Sequence, residues 1–188
     1  TKNIFSINNR NNEKITENQL KTSNIKVTEF LKNELNITFE NKIILSKADY
    51  KENKIYDLNI LNEILEVYPN EFIYELQLLK VLISKILDNS LTTNPRKEYW
   101  VKDGIQTYML IEYVNEKYPN ITLAGNLSKF PGLKNLYASK LKYNEKYFLS
   151  ITHIDRINNT QNLETPKDSL LRFNEKIANK HKSGLLLH

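Results

Sequence analysis

The sequence of residues 71–88 is EFIYELQLLKVLISKILD. Apolar residues at helical spacing form one wide stripe along it, made of Phe72, Leu76, Leu78, Leu79, Leu82, Ile83, Ile86 and Leu87. A helix that is apolar on most of its sides belongs in the interior of a domain. The segment therefore predicts a central helix, in which Leu79 and Ile83 are almost fully buried.

Weaker patterns around this segment predict further helices and one strand. Apolar spacing indicates helices over residues 25–36, 98–118, 145–156 and 167–180. Pro119 ends the second of them because proline cannot continue the backbone ladder, and Thr165 and Pro166 predict the N-cap and first turn of the last. Residues 41–47 predict a short buried strand, and residues 49–59 a polar loop. The predicted fold class is mainly α with a small β element.

The composition excludes several classes of function. The chain has 188 residues, which is one ordinary domain or a large piece of one. Its formal net charge of +5 is spread along the chain, so no basic stripe predicts nucleic-acid binding. The absence of Cys excludes disulfides and thiolate chemistry. No apolar run approaches the about 18 residues of a membrane span, and the sequence has neither a Gly-x-Ser-x-Gly turn nor a glycine-rich phosphate loop.

The two ends of the sequence differ from its middle. Residues 1–24 are rich in Asn, Lys, Thr and Glu, which predicts a loose strand or a polar N-terminal arm or linker before a single domain over residues 25–188. The chain opens at Thr1 rather than Met, and an apolar run over residues 185–187 stops at His188 without a capping signal. We expect from both features a fragment of a longer protein.

The most distinctive stretch is residues 100–108, WVKDGIQTY. It resembles the Trp-x-x-Glu-Gly-x-x-Thr-Tyr signature of the gluzincin metallopeptidases of the aminopeptidase N type. In that family the Glu is the third zinc ligand, and eighteen residues separate it from a His-Glu-x-x-His helix. The two His of that helix bind zinc, and its Glu activates water. The resemblance places Asp103 at the position of the third ligand.

The same spacing, counted back from Asp103, falls inside the predicted central helix. Residues 85–102 lead back to Ser84, and Lys80 lies one helical turn before it. Residues 80–84, KVLIS, therefore stand where the family has His-Glu-x-x-His, and Asn89 stands where an Asn commonly follows. The resemblance implies that the two helices pack side by side, as part of a thermolysin-like core.

The residues at the ligand positions have a different chemistry. Lys80 replaces the first His, Val81 the general base, Ser84 the second His and Asp103 the third ligand. A Lys ammonium has no lone pair for a metal, and Val cannot move a proton. One carboxylate does not hold catalytic zinc, which takes three protein ligands. We therefore expect no catalytic residue and no metal at these positions.

Two weaker resemblances extend the comparison to about residues 26–188. Residues 55–59, IYDLN, fall near the substrate-binding loop of the family but lack its Glu. Residues 181–184, HKSG, resemble the segment that carries the oxyanion-stabilising Tyr, with His181 at the Tyr position. The resemblance also points to a bacterial source such as the Bacteroidota, and to the periplasm or cell envelope.

The expected function is that of a catalytically inactive peptidase-like domain, which binds a peptide or protein in its vestigial cleft or serves as a scaffold for other domains of the same protein. One alternative is an active zinc metallopeptidase whose ligands are misregistered, and only there is zinc a cofactor. The other is a helical interaction module unrelated to peptidases. In the leading interpretation the Lys80 ammonium approaches Asp103 in place of the metal. In the alternative, Lys80 extends to water and Asp103 caps a helix or pairs locally, for instance with Lys102.

Overall fold

The computed structural model describes residues 5–6, 15–37, 39, 43–55, 66–132, 135 and 137–188. This part of the chain is mainly helical, which confirms the predicted fold class at that level. Its α-helices are α1 (Glu17–Leu35), α2 (Lys47–Glu52), α3 (Asn70–Ser90), α4 (Tyr99–Lys117), α5 (Glu145–Arg156) and α6 (Asn179–Leu187). Two short strands, β1 (Phe5–Ser6) and β2 (Ile44–Leu45), pair in parallel. The chain divides into two compact units, residues 1–85 and 86–188, and the division falls within α3.

In the first unit, α1 begins earlier than the sequence pattern predicts. The Thr16 hydroxyl accepts the Gln19 backbone N–H at 3.4 Å, and the Gln19 side-chain oxygen accepts the Thr16 backbone N–H at 2.9 Å. This capping box satisfies backbone donors that would otherwise be unpaired at the start of a helix. Residues 17–24 are therefore helical and continuous with residues 25–35.

Polar side chains join α1 to α3 inside the first unit. Glu75 is fully buried, and its carboxylate accepts a hydrogen bond of 2.7 Å from the Ser23 hydroxyl. The Tyr74 hydroxyl donates to the Asn24 side-chain oxygen at 2.7 Å. Buried polar groups need such partners, so these bonds fix where the two helices meet. Leu79 and Ile83 of α3 are 0% exposed, which confirms the prediction of their burial.

The segment between α1 and α3 differs from its prediction. The predicted strand over residues 41–47 is reduced to β2, in which Leu45 is buried and Ile44 exposed. Residues 47–52 form α2 instead of a polar loop, because Ser46 and Asp49 make a second capping box. Most of the predicted substrate loop over residues 55–59 lies outside the described residues.

The second unit is built on α4 and α6, which pack together along their length. Contacts between them advance in the same direction along both helices: Tyr99 with Asn179, Asp103 with Lys180, Thr107 with Gly184, and Glu112 with His188. The two helices are therefore parallel. The helix α5 packs against α6 and against the π turn Asn174–Ala178 that leads into it.

The predicted helix over residues 167–180 is confirmed from residue 172 onward, but its first residues adopt another structure. A 3-10 turn, Lys167–Ser169, is followed by extended backbone at Leu170, and Pro166 rather than Thr165 occupies the N-cap position. The side chain of Gln161 accepts the Leu171 N–H at 2.7 Å and donates to the Ser169 carbonyl at 3.2 Å. These bonds stabilise the extended backbone at Leu170, so helical backbone begins at residue 172 and continues through the π turn into α6.

Candidate functional site

The candidate site surrounds Asp103, near the start of α4. Its carboxylate accepts a hydrogen bond from the Lys180 ammonium, with 3.0 Å between Oδ1 and Nζ. The two side chains are 16% and 27% exposed, so the ion pair is partly shielded from water. Shielding makes such a pair more sensitive to loss of one partner than a surface pair is. The Lys180 ammonium of α6 therefore neutralises the Asp103 carboxylate of α4.

Lys102 does not pair with Asp103, so the local ion pair that the alternative interpretation named is wrong. The Lys102 ammonium instead donates to the Asp88 carboxylate at the end of α3. Lys80, on the other side of the division, donates its ammonium proton to the backbone carbonyl of Lys54 at 2.9 Å. The approach of Lys80 to Asp103 stays a prediction.

A buried tyrosine lies beside the ion pair. The Tyr99 hydroxyl donates to the Leu163 carbonyl at 3.1 Å and accepts from the Asn179 side-chain amide at 3.2 Å. Burial raises the pKa of Tyr99; the Asn179 bond works against that shift, and the Asp103 and Glu175 carboxylates add to it. The phenol is therefore a neutral donor at physiological pH, already used by the backbone.

Two glycines bring α4 and α6 unusually close at this site. A Cβ added at Gly184 would lie 2.4 Å from Cγ2 and 2.5 Å from Cβ of Thr107. A Cβ added at Gly104 would lie 3.1 Å from Cβ and 3.2 Å from the carbonyl oxygen of Ser183. Gly104 and Thr107 belong to the stretch 100–108, and Ser183 and Gly184 to the stretch 181–184. The two segments singled out by the resemblance are thus in direct contact.

His181 makes contacts with α5. Its Nδ1 lies 2.5 Å from the Ser150 hydroxyl, and its ring meets the Tyr147 ring edge-on at a centroid distance of 4.7 Å. The Ser150 hydroxyl donates its single proton to the Tyr147 carbonyl at 2.8 Å. Which of the two groups donates in the Ser150–His181 contact depends on the tautomer of the imidazole. This imidazole nitrogen connects two helices and is committed to that bond.

The remaining predicted positions lie in α3. Val81 is 0% exposed and Ser84 is 6% exposed, as expected for side chains in a buried helix. Glu75, also in α3, accepts the buried hydrogen bond from Ser23.

Neither a metal site nor a membrane helix is found in the described part of the chain. Nowhere in it do three His, Cys, Asp or Glu side chains come together in a way that could hold a metal ion. None of its helices has the length and apolar character that crossing a bilayer requires. The arrangement around Asp103 supplies charge neutralisation and close packing.

Sequence reasoning did not find three of the site residues: Lys180, Asn179 and Tyr99. Lys180 directly precedes the stretch 181–184, and Tyr99 directly precedes the stretch 100–108. Both stand one position outside the segments that carry the resemblance. The parallel pairing of α4 and α6 would have indicated them, because it places the starts of the two helices next to each other.

Comparisons with known proteins do not assign the chain to a family. No protein-family model matches it, and neither the curated proteins nor the solved structures searched contain a match.

Proposed function

We propose that the chain is a catalytically silent, gluzincin-like domain of a larger protein that binds a peptide or protein partner, with a partial thermolysin-like core. The observation that carries the proposal is the Lys180 ammonium 3.0 Å from Asp103. Asp103 stands where the family has its third zinc ligand. A carboxylate left behind by a lost metal needs another cation when it is partly buried, and Lys180 is that cation.

The contact between the two motif-like segments supports the same proposal. The resemblance of residues 181–184 to the oxyanion segment is a weak sequence match on its own. Its Gly184 lies against Thr107 so closely that no Cβ fits between them, and Ser183 is equally close to Gly104. Two segments chosen independently from one family pattern therefore share one helix crossing.

The direct test is to rebuild the metal site. We expect wild-type protein, after dialysis, to contain no stoichiometric zinc by elemental analysis and to leave fluorogenic amino-acid amides uncleaved. A variant with Lys80→His, Ser84→His, Asp103→Glu and Lys180→Ala should bind one zinc per chain, because it restores three ligands and removes the competing cation. A control with Asp103→Gln in place of Asp103→Glu has both His but lacks the carboxylate, and it should bind zinc much more weakly.

Each outcome assigns one of the three interpretations. Stoichiometric zinc in the wild type, or turnover that a chelator stops, would establish the active peptidase. A rebuilt variant that has wild-type circular dichroism but no zinc would refute the gluzincin frame and leave the unrelated helical module. Zinc in the rebuilt variant alone supports the silent domain.

A further inference from the structure

The loop between α4 and α5, residues 118–144, carries most of the net charge of the chain. It contains four Lys and neither an acidic residue nor an Arg, whereas the rest of the chain has 23 basic side chains against 22 acidic ones. The net charge of +5 is therefore concentrated in this segment, which corrects the expectation of an even spread. A region of one sign attracts partners of the opposite charge. We name residues 118–144 the α4–α5 loop.

Backbone hydrogen bonds hold the base of the α4–α5 loop. The Leu123 N–H donates to the Leu141 carbonyl at 2.9 Å, and the Tyr143 N–H donates to the Ile121 carbonyl at 3.0 Å, so the two arms of the loop are antiparallel. The Tyr143 side chain is buried, and the Asn144 side-chain amide donates to a backbone carbonyl of α4 at 3.0 Å. Because its arms are already fixed, the loop loses little conformational entropy when it binds a partner.

Two exposed aromatic side chains lie beyond these bonds. Phe130 directly follows the 3-10 turn Gly125–Lys129 and is 59% exposed. Tyr137 begins the 3-10 turn Tyr137–Ser139 and is 73% exposed, more than any other large apolar side chain among the described residues. The two turns contact each other. Large apolar groups exposed on neighbouring turns are typical of an interaction surface.

The Lys charges of the loop are not neutralised within the described residues. Lys129, Lys140 and Lys142 are exposed, and none of them forms an ion pair with a described residue. The Lys129 ammonium donates to the side-chain oxygen of Asn126, a neutral group, at 3.0 Å. The α4–α5 loop thus combines exposed aromatic rings with cations, and it has no acidic side chain that would repel an anionic partner.

We propose that the α4–α5 loop binds to the surface of a lipid bilayer that contains anionic lipids. Phe130 and Tyr137 enter the interfacial region, where aromatic rings are favoured, and the Lys ammoniums pair with the anionic headgroups. Lys suits this role because its apolar stem lies along hydrocarbon while its ammonium reaches the headgroups.

The composition of the loop favours a bilayer over single-stranded nucleic acid, the other polyanion that contacts exposed aromatic rings. Nucleic-acid phosphates are bound preferentially by the planar guanidinium of Arg, and the loop has none. The field of an anionic bilayer, in contrast, attracts each Lys as a point charge. The proposal is independent of the proposed function, because it uses neither Asp103 nor the residues of α3.

The test measures binding of the full chain to vesicles by co-sedimentation. One set of vesicles is phosphatidylcholine alone, and the other contains about 30% phosphatidylglycerol, which supplies the negative charge. We expect binding to the anionic vesicles at least about tenfold tighter than to the neutral ones, and weaker binding as the salt is raised from about 0.1 M to about 1 M.

Variants of the loop should weaken binding to the anionic vesicles. Lys140→Gln and Lys142→Gln should each weaken it about fivefold, because each removes one charge from the membrane surface. Phe130→Ala and Tyr137→Ala should each weaken it about tenfold, because each removes an aromatic ring from the interface. These side chains are exposed, so the variants should keep the circular dichroism of the wild type.

Matched controls remove the same kinds of group outside the loop. Lys97→Gln and Lys167→Gln each remove an exposed Lys of the second unit, and Leu171→Ala removes an apolar side chain that is 50% exposed. All three should leave binding unchanged. In a Phe130→Trp variant, the added indole should shift the fluorescence emission to shorter wavelengths with anionic vesicles, relative to the wild type with Trp100 alone.

The proposal is overturned if the chain does not sediment with the anionic vesicles, or if neutral vesicles bind it equally well. It is also overturned if the control variants weaken binding as much as the loop variants, or if the emission of the Phe130→Trp variant does not shift. A labelled single-stranded oligonucleotide that binds more tightly than the vesicles, and loses affinity in the same Lys variants, would replace the bilayer by nucleic acid.

Discussion

Gly184→Ala should destabilise the second unit, because it places a methyl group inside Thr107. The added Cβ would lie 2.4 Å from Cγ2, 2.5 Å from Cβ and 3.3 Å from the carbonyl carbon of Thr107. A change of rotamer moves Cγ2 away but leaves Cβ in place, since Cβ is attached to the backbone. The helices α4 and α6 must therefore separate to accept the substitution.

Two opposing effects set the magnitude. Replacing Gly by Ala inside a helix stabilises it by about 1 kcal/mol. Overpacking a tight contact costs about 1–3 kcal/mol, and the backbone-anchored clash at Gly184 belongs at or above the upper end of that range. We expect a net loss of about 2 kcal/mol in the free energy of unfolding. For a unit of roughly 100 residues this lowers Tm by about 8–16 °C.

Trp100 makes the measurement specific to the second unit. It is the only Trp of the chain and lies in α4, so its fluorescence during heating reports on the helix that the substitution displaces. Gly132→Ala is the matched control, since among the described residues no atom beyond its chain neighbours lies within 4 Å of the added Cβ, and it should leave Tm unchanged. Gly104→Ala, with contacts of 3.1–3.3 Å, should fall between the two. A Gly184→Ala variant as stable as the wild type would refute the close crossing.

Three further predictions concern the core, the buried phenol and the ion pair. Leu79→Ala should lower the free energy of unfolding by about 2–5 kcal/mol because Leu79 is fully buried, whereas Ile25→Ala, at a side chain 42% exposed, should cost much less by urea unfolding. Burial raises the pKa of Tyr99 above its ordinary value of 10.0, so the stability contributed by the neutral phenol is complete below pH 10 and is lost as the pH rises through the folded-state pKa. The ultraviolet difference titration between wild type and Tyr99→Phe should contain a phenol that ionises above pH 10. A phenol that ionises at or below pH 10 would contradict the burial. In a double-mutant cycle on Asp103→Asn and Lys180→Met, the partly shielded pair should show a coupling of about 1–2 kcal/mol in unfolding free energy, and additive effects would mean that the two side chains do not interact in solution.

Apolar periodicity predicted the helices whose faces are packed in the interior. The prediction of residues 71–88 agrees with α3, that of 98–118 with α4 and that of 145–156 with α5, to within two residues at each end. These helices bury a stripe of side chains, and the stripe is visible in the sequence. Their identification needed no information about the rest of the fold.

Hydrogen bonds between polar side chains and the backbone decided the elements that were predicted wrongly. The start of α1 depends on Thr16 and Gln19, which form a polar capping box without any apolar stripe. The delayed start of α6 depends on Gln161, which binds backbone about ten residues further along the chain. A polar side chain in a sequence does not show which backbone group it will bind, so periodicity cannot detect either case.

The candidate site was predictable only in part, for the same reason. Asp103 was found because its neighbours resemble a known motif, and Lys180 was missed because 77 positions separate it from Asp103. Among 27 Lys and Arg residues, sequence alone does not select the one that meets a given carboxylate. The parallel packing of α4 and α6, which Gly104 and Gly184 allow to be close, brings Lys180 to Asp103.

The position of Lys180 leads to a last prediction about the rebuilt metal site. In a variant that carries Lys80→His, Ser84→His and Asp103→Glu but retains Lys180, the ammonium competes with zinc for the same carboxylate. Two cations a few ångströms apart repel each other by about 4 kcal/mol per unit charge near a protein surface, before they rearrange. Because Lys180 is partly exposed and can swing toward water, we expect a smaller loss, about ten- to a hundredfold in zinc affinity relative to the variant that also carries Lys180→Ala. Competition with a chelating dye measures both affinities, and Lys176→Ala is the control for removal of a nearby lysine that pairs with Glu175 instead. Equal zinc affinities with and without Lys180 would show that this ammonium does not occupy the place of the metal.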